Sequence, residues 1–279
     1  MKYKIILAVA VLFLLPLSVT TVHADTVLFF APTRVEIVDK QPVQEIRVTN
    51  MSGITRSYSI AMKNYVMNEN GQTVEVDNFD YSAKRMLRFV PHQFNIKPGD
   101  QQIIRIMARF PDGTPDGQYH AHLEFLENVS KRKELNEHNE NISAENRAQM
   151  NAQITYSTAI PVVISKGEIK TTIGMHDLHL GEDKNGQPEV SMILTREGNG
   201  QGNAYLEADY IAPDGKTETR ASVRRSVYIY RELNKRKNSF VLDLLKKQDL
   251  QKGGQVRVKL YNRDVSEKDP IDTVLLPVM

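Results

Sequence analysis

The chain has 279 residues, with 36 lysines and arginines against 34 aspartates and glutamates, and it contains neither cysteine nor tryptophan. A formal net charge of +2 excludes the strongly basic field that would make nucleic acid or an anionic membrane surface its main partner. Without cysteine there are no disulfides, so stability has to come from apolar burial.

Lys2 and Lys4 precede an apolar run from Ile5 to Val19, and Val22-His23-Ala24 closes the segment with small residues at its last and third-last positions. This is the pattern of a cleavable secretory signal over residues 1–24. The run is shorter than the roughly 20 residues a spanning helix needs, and Pro16 interrupts it, so export without membrane insertion is expected. Cleavage removes two lysines and no acid, which leaves the mature chain formally neutral.

Short β-rich runs follow, at Val27–Val38, Val43–Thr49, Arg56–Asn64, Arg88–Phe94, Gln101–Arg109 and Gln118–Leu126. Asn50-Met51-Ser52-Gly53, Asn70-Gly71, Pro98-Gly99 and Asp116-Gly117 lie between them and supply turn dihedrals at little cost. Asn128 to Gln149 is polar and highly charged, and reads as a solvated connector, either a loop or a frayed helix.

The run from Ala152 to Ile164 carries the most information. Ala152, Ile154, Tyr156, Thr158, Ile160, Val162 and Ile164 alternate onto one largely apolar face. Thirteen extended residues span roughly 40 Å, well beyond an ordinary strand of five or six. Pro161 cannot donate a ladder hydrogen bond, so the run is expected at a sheet edge. Proteins normally blunt an apolar edge, and one left open is therefore expected to have a use.

Ser165-Lys166-Gly167 reads as a hinge. Beyond it a second set of strands is expected at Glu168–Gly174, Glu189–Thr195, Ala204–Ile211, Val223–Tyr230, Ser239–Asp243, Gln255–Asn262 and Thr273–Val278. The expected fold is all-β: two immunoglobulin-like β-sandwich domains, residues 25–165 and 166–279, joined by a short hinge with a cleft between them. Clefts between domains are favoured binding sites.

Several stretches resemble the periplasmic pilus and fimbrial assembly chaperones, the PapD-like family. Pro32-Thr33-Arg34-Val35 looks like that family's first-strand signature, and Val48-Thr49-Asn50 like its second-strand ending. Phe89-Val90-Pro91, Ile96-Lys97-Pro98-Gly99 and Ile103-Ile104-Arg105-Ile106 follow the family's order and spacing. The match covers residues 27–109, the long strand extends it to about 165, and the second domain agrees only in being β-rich.

The resemblance implies a non-catalytic chaperone that binds, folds and caps pilus subunits by donor-strand complementation and delivers them to an outer-membrane usher. It implies that Met150, Ala152, Ile154 and Tyr156 are the donor side chains, and that Arg34 anchors the subunit's terminal carboxylate. A planar guanidinium suits that task because it can bind both carboxylate oxygens at once. Two departures mark a divergent member. Pro161 stands where the family has a second cationic anchor, and the family's glutamate-containing stretch before the sixth strand is replaced by Pro111 to Tyr119. Lys166 is one substitute cation to consider. An open edge also suggests a self-capping dimer at rest.

Two other readings compete. One is a secreted two-domain adhesive or structural protein whose long strand completes its own sheet. The other is a zinc-binding β-rich hydrolase using His120 and His122, with His176 and His179. No carboxylate cluster or cysteine supports zinc, and the histidines read as surface or rim residues. Gly198, Gly200 and Gly202 lack the spacing of a phosphate loop and read as a hairpin turn, and no Gly-x-Ser-x-Gly elbow occurs. Tyr228, Tyr230 and Leu233 read as core or hinge packing, with an aromatic binding patch as the alternative. No catalytic residue, metal or cofactor is called for.

Overall fold

Alternation of apolar and polar residues places one face of most strands in a core, and the chain stacks four sheets as two sandwiches. The structure, a computed structural model, describes residues 28–136, 157–265 and 268–279. The leader expected over 1–24 and the donor residues Met150, Ala152, Ile154 and Tyr156 lie outside the described residues.

The first ten strands are β1 (Leu28–Ala31), β2 (Val35–Val38), β3 (Val43–Asn50), β4 (Arg56–Met67), β5 (Thr73–Val76), β6 (Leu87–Val90), β7 (Gln93–Ile96), β8 (Gln101–Ala108), β9 (Gly117–Glu127) and β10 (Ser157–Lys166). One sheet runs β1-β3-β8-β6; the other runs β2-β10-β9-β4-β5, with β7 also on β4. Between them lie Ile37, Ile46, Val48, Ile104, Ile106, Leu123, Phe125, Val162 and Ile164, all essentially without solvent contact. Phe30 and Phe125 meet across the layers with ring centroids 4.9 Å apart.

Two single strands expected from the sequence are each divided by a proline. The run Val27–Val38 becomes β1, which pairs with β3, and β2, which pairs with β10 in the opposite sheet. Likewise Arg88–Phe94 becomes β6 on β8 and β7 on β4. Pro32 and Pro91 cannot donate to a ladder, so pairing stops there and the chain crosses between layers.

The connector after β9 begins as a helix, α1 (Val129–Asn136). It is tied down at both ends. Glu127, whose side chain has no exposed surface, pairs with Arg56 at 2.7 Å and with Arg132 at 3.0 Å, while Asn136 donates to Thr55 O at 2.8 Å and accepts from Thr55 N–H at 3.1 Å.

The second sandwich is built from β11 (Thr171–Glu182), β12 (Pro188–Gly198), β13 (Gly202–Ile211), β14 (Glu218–Arg220), β15 (Arg225–Ile229), β16 (Lys235–Val241), β17 (Gln255–Asn262) and β18 (Asp272–Pro277). Its sheets are β11-β12-β16 and β14-β13-β17-β18, with β15 also on β13. Val190, Leu206, Ala208, Leu242, Val256, Val258 and Leu260 are completely buried between them. Gly167 makes the turn between the sandwiches at φ +63, and an added Cβ would lie 2.1 Å from the Asp116 carboxylate, so only glycine fits.

Candidate binding cleft and strand edge

Arg34 leads into β2. Val35 and Ile37 point into the core, which turns Arg34 and Glu36 to the opposite face, toward the second sandwich. Arg34 Nε donates to Glu36 Oε1 at 2.9 Å, and Nη2 donates to Gln201 Oε1 at 2.6 Å. Its guanidinium carbon lies 4.6 Å from the Tyr228 ring centroid, and Arg263 Nη1 donates to the hydroxyl of the same tyrosine at 3.2 Å. Two arginines, one from each sandwich, thus contact one tyrosine, Arg34 at the ring and Arg263 at the hydroxyl. Arg34 is only 13% exposed, whereas Glu36 beside it is 53% exposed.

Behind Arg34 the sandwiches are joined by buried polar groups. Tyr119, Ala121, Leu123 and Phe125 fill the core from one face of β9, and Gln118, His120 and His122 occupy the other. His120 Nε2 lies 3.0 Å from Glu232 Oε2, and Glu232 Oε1 accepts the Met67 N–H at 2.8 Å. His122 Nε2 lies 3.3 Å from the Tyr230 hydroxyl. Gln118 is gripped three ways: its N–H donates to Asn199 O, its Oε1 accepts from Gln201 N–H, and its carbonyl accepts from Arg231 Nη1.

Burial, the neighbouring His120 and the Arg34 charge push the His122 imidazole down to about 3. Burial pushes the Glu232 carboxyl up, but the His120 hydrogen bond and charge and the Met67 N–H outweigh it and hold it below its ordinary value. The expectation of surface or rim histidines holds for His176 and His179, which are exposed, and is corrected for the other pair. His120 and His122 are 1% and 5% exposed, because the second sandwich covers their face of β9. Tyr230 is buried at this junction, which is the hinge packing of the two readings given for it.

The second feature is the edge of β10. β9 pairs along its full length from Ser157 to Lys166, but β2 pairs only with Val162 to Ser165. Ser157 to Pro161 have no strand on that side among the described residues. Ile160, Val162 and Ile164 are buried in the first core, so this parity of the strand faces inward.

Fimbrial chaperones are among the solved structures this chain resembles. One is the CsuC-CsuE chaperone and tip-subunit pre-assembly complex of Acinetobacter baumannii, at 12% identity, with 89% of this chain and 96% of that chain covered and a TM-score of 0.45. Others are the class 5 fimbriae chaperone CfaA, at 12% identity, 90% and 99% coverage and a TM-score of 0.43, and the SafB chaperone with SafA pilin of Salmonella enterica, at 11% identity, 90% and 96% coverage and a TM-score of 0.41. No family model matches the chain, and no curated protein matches it.

Arg34, singled out by its motif, thus lies at the junction of the sandwiches. Lys166 does not join it: its Nζ donates to the carbonyl of Thr114, in the loop before β9. Tyr228, one of the aromatic residues singled out in the second domain, stacks on Arg34, whereas Gln201, which bonds Arg34, and Arg263, which bonds Tyr228, were missed, since neither sits in a motif and they reach this place only through the packing of the two sandwiches. Arg196 was missed as well. It is buried and donates to the carbonyls of Gly198, Gly200, Arg231 and Leu233, so it holds the glycine turn against the junction. Among the described residues, no group of three or more His, Asp or Glu side chains could hold a metal ion, and no helix is long and apolar enough to cross a membrane. A groove of about 710 Å³ lies away from Arg34, on β12 and β16, with His179, Glu189 and Lys237 in its lining.

Proposed function

We propose that this protein is a non-catalytic periplasmic chaperone that binds, folds and caps pilus subunits by donor-strand complementation and hands them to an outer-membrane usher. The observation that carries this reading is the uneven covering of β10, where β9 spans the whole strand and β2 spans four residues. A subunit lacking its last strand takes the open edge through main-chain hydrogen bonds, each contributing about 0.5–1.5 kcal/mol net. Met150, Ala152, Ile154 and Tyr156 share the parity of Ile160, Val162 and Ile164. In this proposal they fill the subunit's groove, at roughly 1.5–3 kcal/mol for each large apolar side chain. Arg34 grips the terminal carboxylate.

The test is the double variant Ile154→Asp with Tyr156→Asp, purified from periplasm beside the wild type. It is expected to keep its thermal unfolding and to lose co-eluting subunit-sized proteins by mass spectrometry. Arg34→Ala is expected to behave the same way. Recovery of the partners by the double variant would refute the donor-strand assignment, and collapse of Arg34→Ala would give Arg34 a structural role instead.

A further inference from the structure

Nε and Nη2 of an arginine form one edge of the guanidinium, the edge that receives the two oxygens of a carboxylate. In Arg34 that edge is filled by oxygens from two different residues, Oε1 of Glu36 and Oε1 of Gln201. Glu36 is the weakly held partner of the two. Glu36 is more than half exposed and makes one bond through one oxygen, the kind of pair that contributes little in water. Gln201 is 1% exposed, and its Nε2, a donor on the same amide, has no hydrogen-bond partner among the described residues. A buried donor without an acceptor is costly, and a carboxylate brought to Arg34 is an acceptor of the right kind for it.

The surrounding charges fit an exchange. Arg263 holds the hydroxyl of Tyr228, the ring that Arg34 stacks on. Burial works against the charged form of Arg263, but the phenols of Tyr205 and Tyr228 and the Glu36 carboxylate outweigh this. Asp264, the other acid close by, is held by two contacts from Asn203 Nδ2 at 2.9 and 3.1 Å. A displaced Glu36 therefore has a second cation within electrostatic range.

We infer that Glu36 is an internal stand-in for the ligand: it occupies the Nε edge of Arg34 in the resting protein and is displaced by an incoming main-chain carboxylate, with Gln201 and Arg263 completing the receptor. This rests on the reading of Arg34 as a carboxylate anchor. The stand-in keeps Arg34 aligned and prevents other anions from settling there, and only a ligand that also engages the neighbouring strand edge outcompetes it.

Two probes separate this inference from the reading beneath it: a synthetic peptide of alternating valine and threonine with a free C-terminal carboxylate, and the same peptide as its amide. Binding of both is measured by calorimetry to the wild type, Glu36→Gln and Arg263→Gln. The wild type is expected to prefer the acid. Glu36→Gln is expected to raise affinity for the acid about two- to fivefold without changing that for the amide. Arg263→Gln is expected to lower affinity for the acid. A wild type that does not distinguish acid from amide, or binds neither, overturns the Arg34 anchor and this inference with it. A wild type that prefers the acid, with Glu36→Gln no tighter than wild type, overturns the stand-in alone.

Discussion

His122 stays neutral in the folded protein because burial, His120 and Arg34 together hold its imidazole near about 3. In the unfolded chain it returns to about 6.5. Between those values the unfolded state binds a proton that the folded state refuses, so stability is present above the window and is lost as pH falls through it. The expected loss from pH 8 to pH 5 is about 2 kcal/mol, read from urea unfolding at each pH. Glu232, whose carboxyl is depressed in the folded state, acts in the same direction but only below its ordinary 4.5, so measurements above pH 5 isolate the imidazole. His122→Phe should flatten the profile, and a wild type equally stable at pH 8 and pH 5 would exclude a buried neutral His122. The alternation of β9 placed both histidines on one face, which the sequence makes plain. That the face is buried was not legible, because its cover comes from Glu232, 112 positions beyond His120. The Pro32 to Val35 motif marked Arg34 in the same way, while Gln201 and Tyr228 carry no local signal for meeting it.

Strands whose burial alternates regularly, such as β3, β8 and β12, could be read directly, because period-two hydrophobicity is a local property. Their assignment to sheets was not local. Nothing in the run from Leu28 to Val38 says that its halves belong to opposite layers, except the proline that stops one ladder before the next begins. The same holds for β10: its inward-facing alternation at Ile160, Val162 and Ile164 was legible, and its uneven partnering was not. That partnering has a measurable consequence in hydrogen exchange on the protein without any partner. Amides of Val162 to Ser165 lie between two strands and should be protected whichever way they point. Amides of Ser157 to Ile160 that point away from β9 should exchange much faster, giving an alternating pattern along this half of the strand. Uniform protection from Ser157 onward would mean that another segment or a second copy already covers the edge.

At the scale of the molecule, two sandwiches and a glycine turn suggested a hinge, yet the junction is crossed by hydrogen bonds that a free hinge would not carry. Glu232 is central to them, because one carboxylate receives His120 on one oxygen and the Met67 N–H on the other, joining β4 and β9 to the second sandwich. The β4-β5 hairpin adds a main-chain bond from Lys237 N–H to Glu69 O at 2.7 Å. Bonds to a charged group contribute about 1.5–3 kcal/mol each, comparable to what fixes one domain orientation against thermal rotation. Glu232→Ala leaves His120 Nε2 and the Met67 amide without that acceptor, so the domains should sample a wider range of angles. The absence of cysteine makes this directly measurable: Lys97→Cys and Lys252→Cys, both at exposed positions in different sandwiches, take spin labels without background. The wild type should give one narrow distance distribution, and Glu232→Ala a broader one with each sandwich still folded. An unchanged distribution would transfer the role of holding the junction to the Gln118 contacts with Asn199, Gln201 and Arg231. These do not involve Glu232 and bring Gln201 to Arg34 from the opposite side.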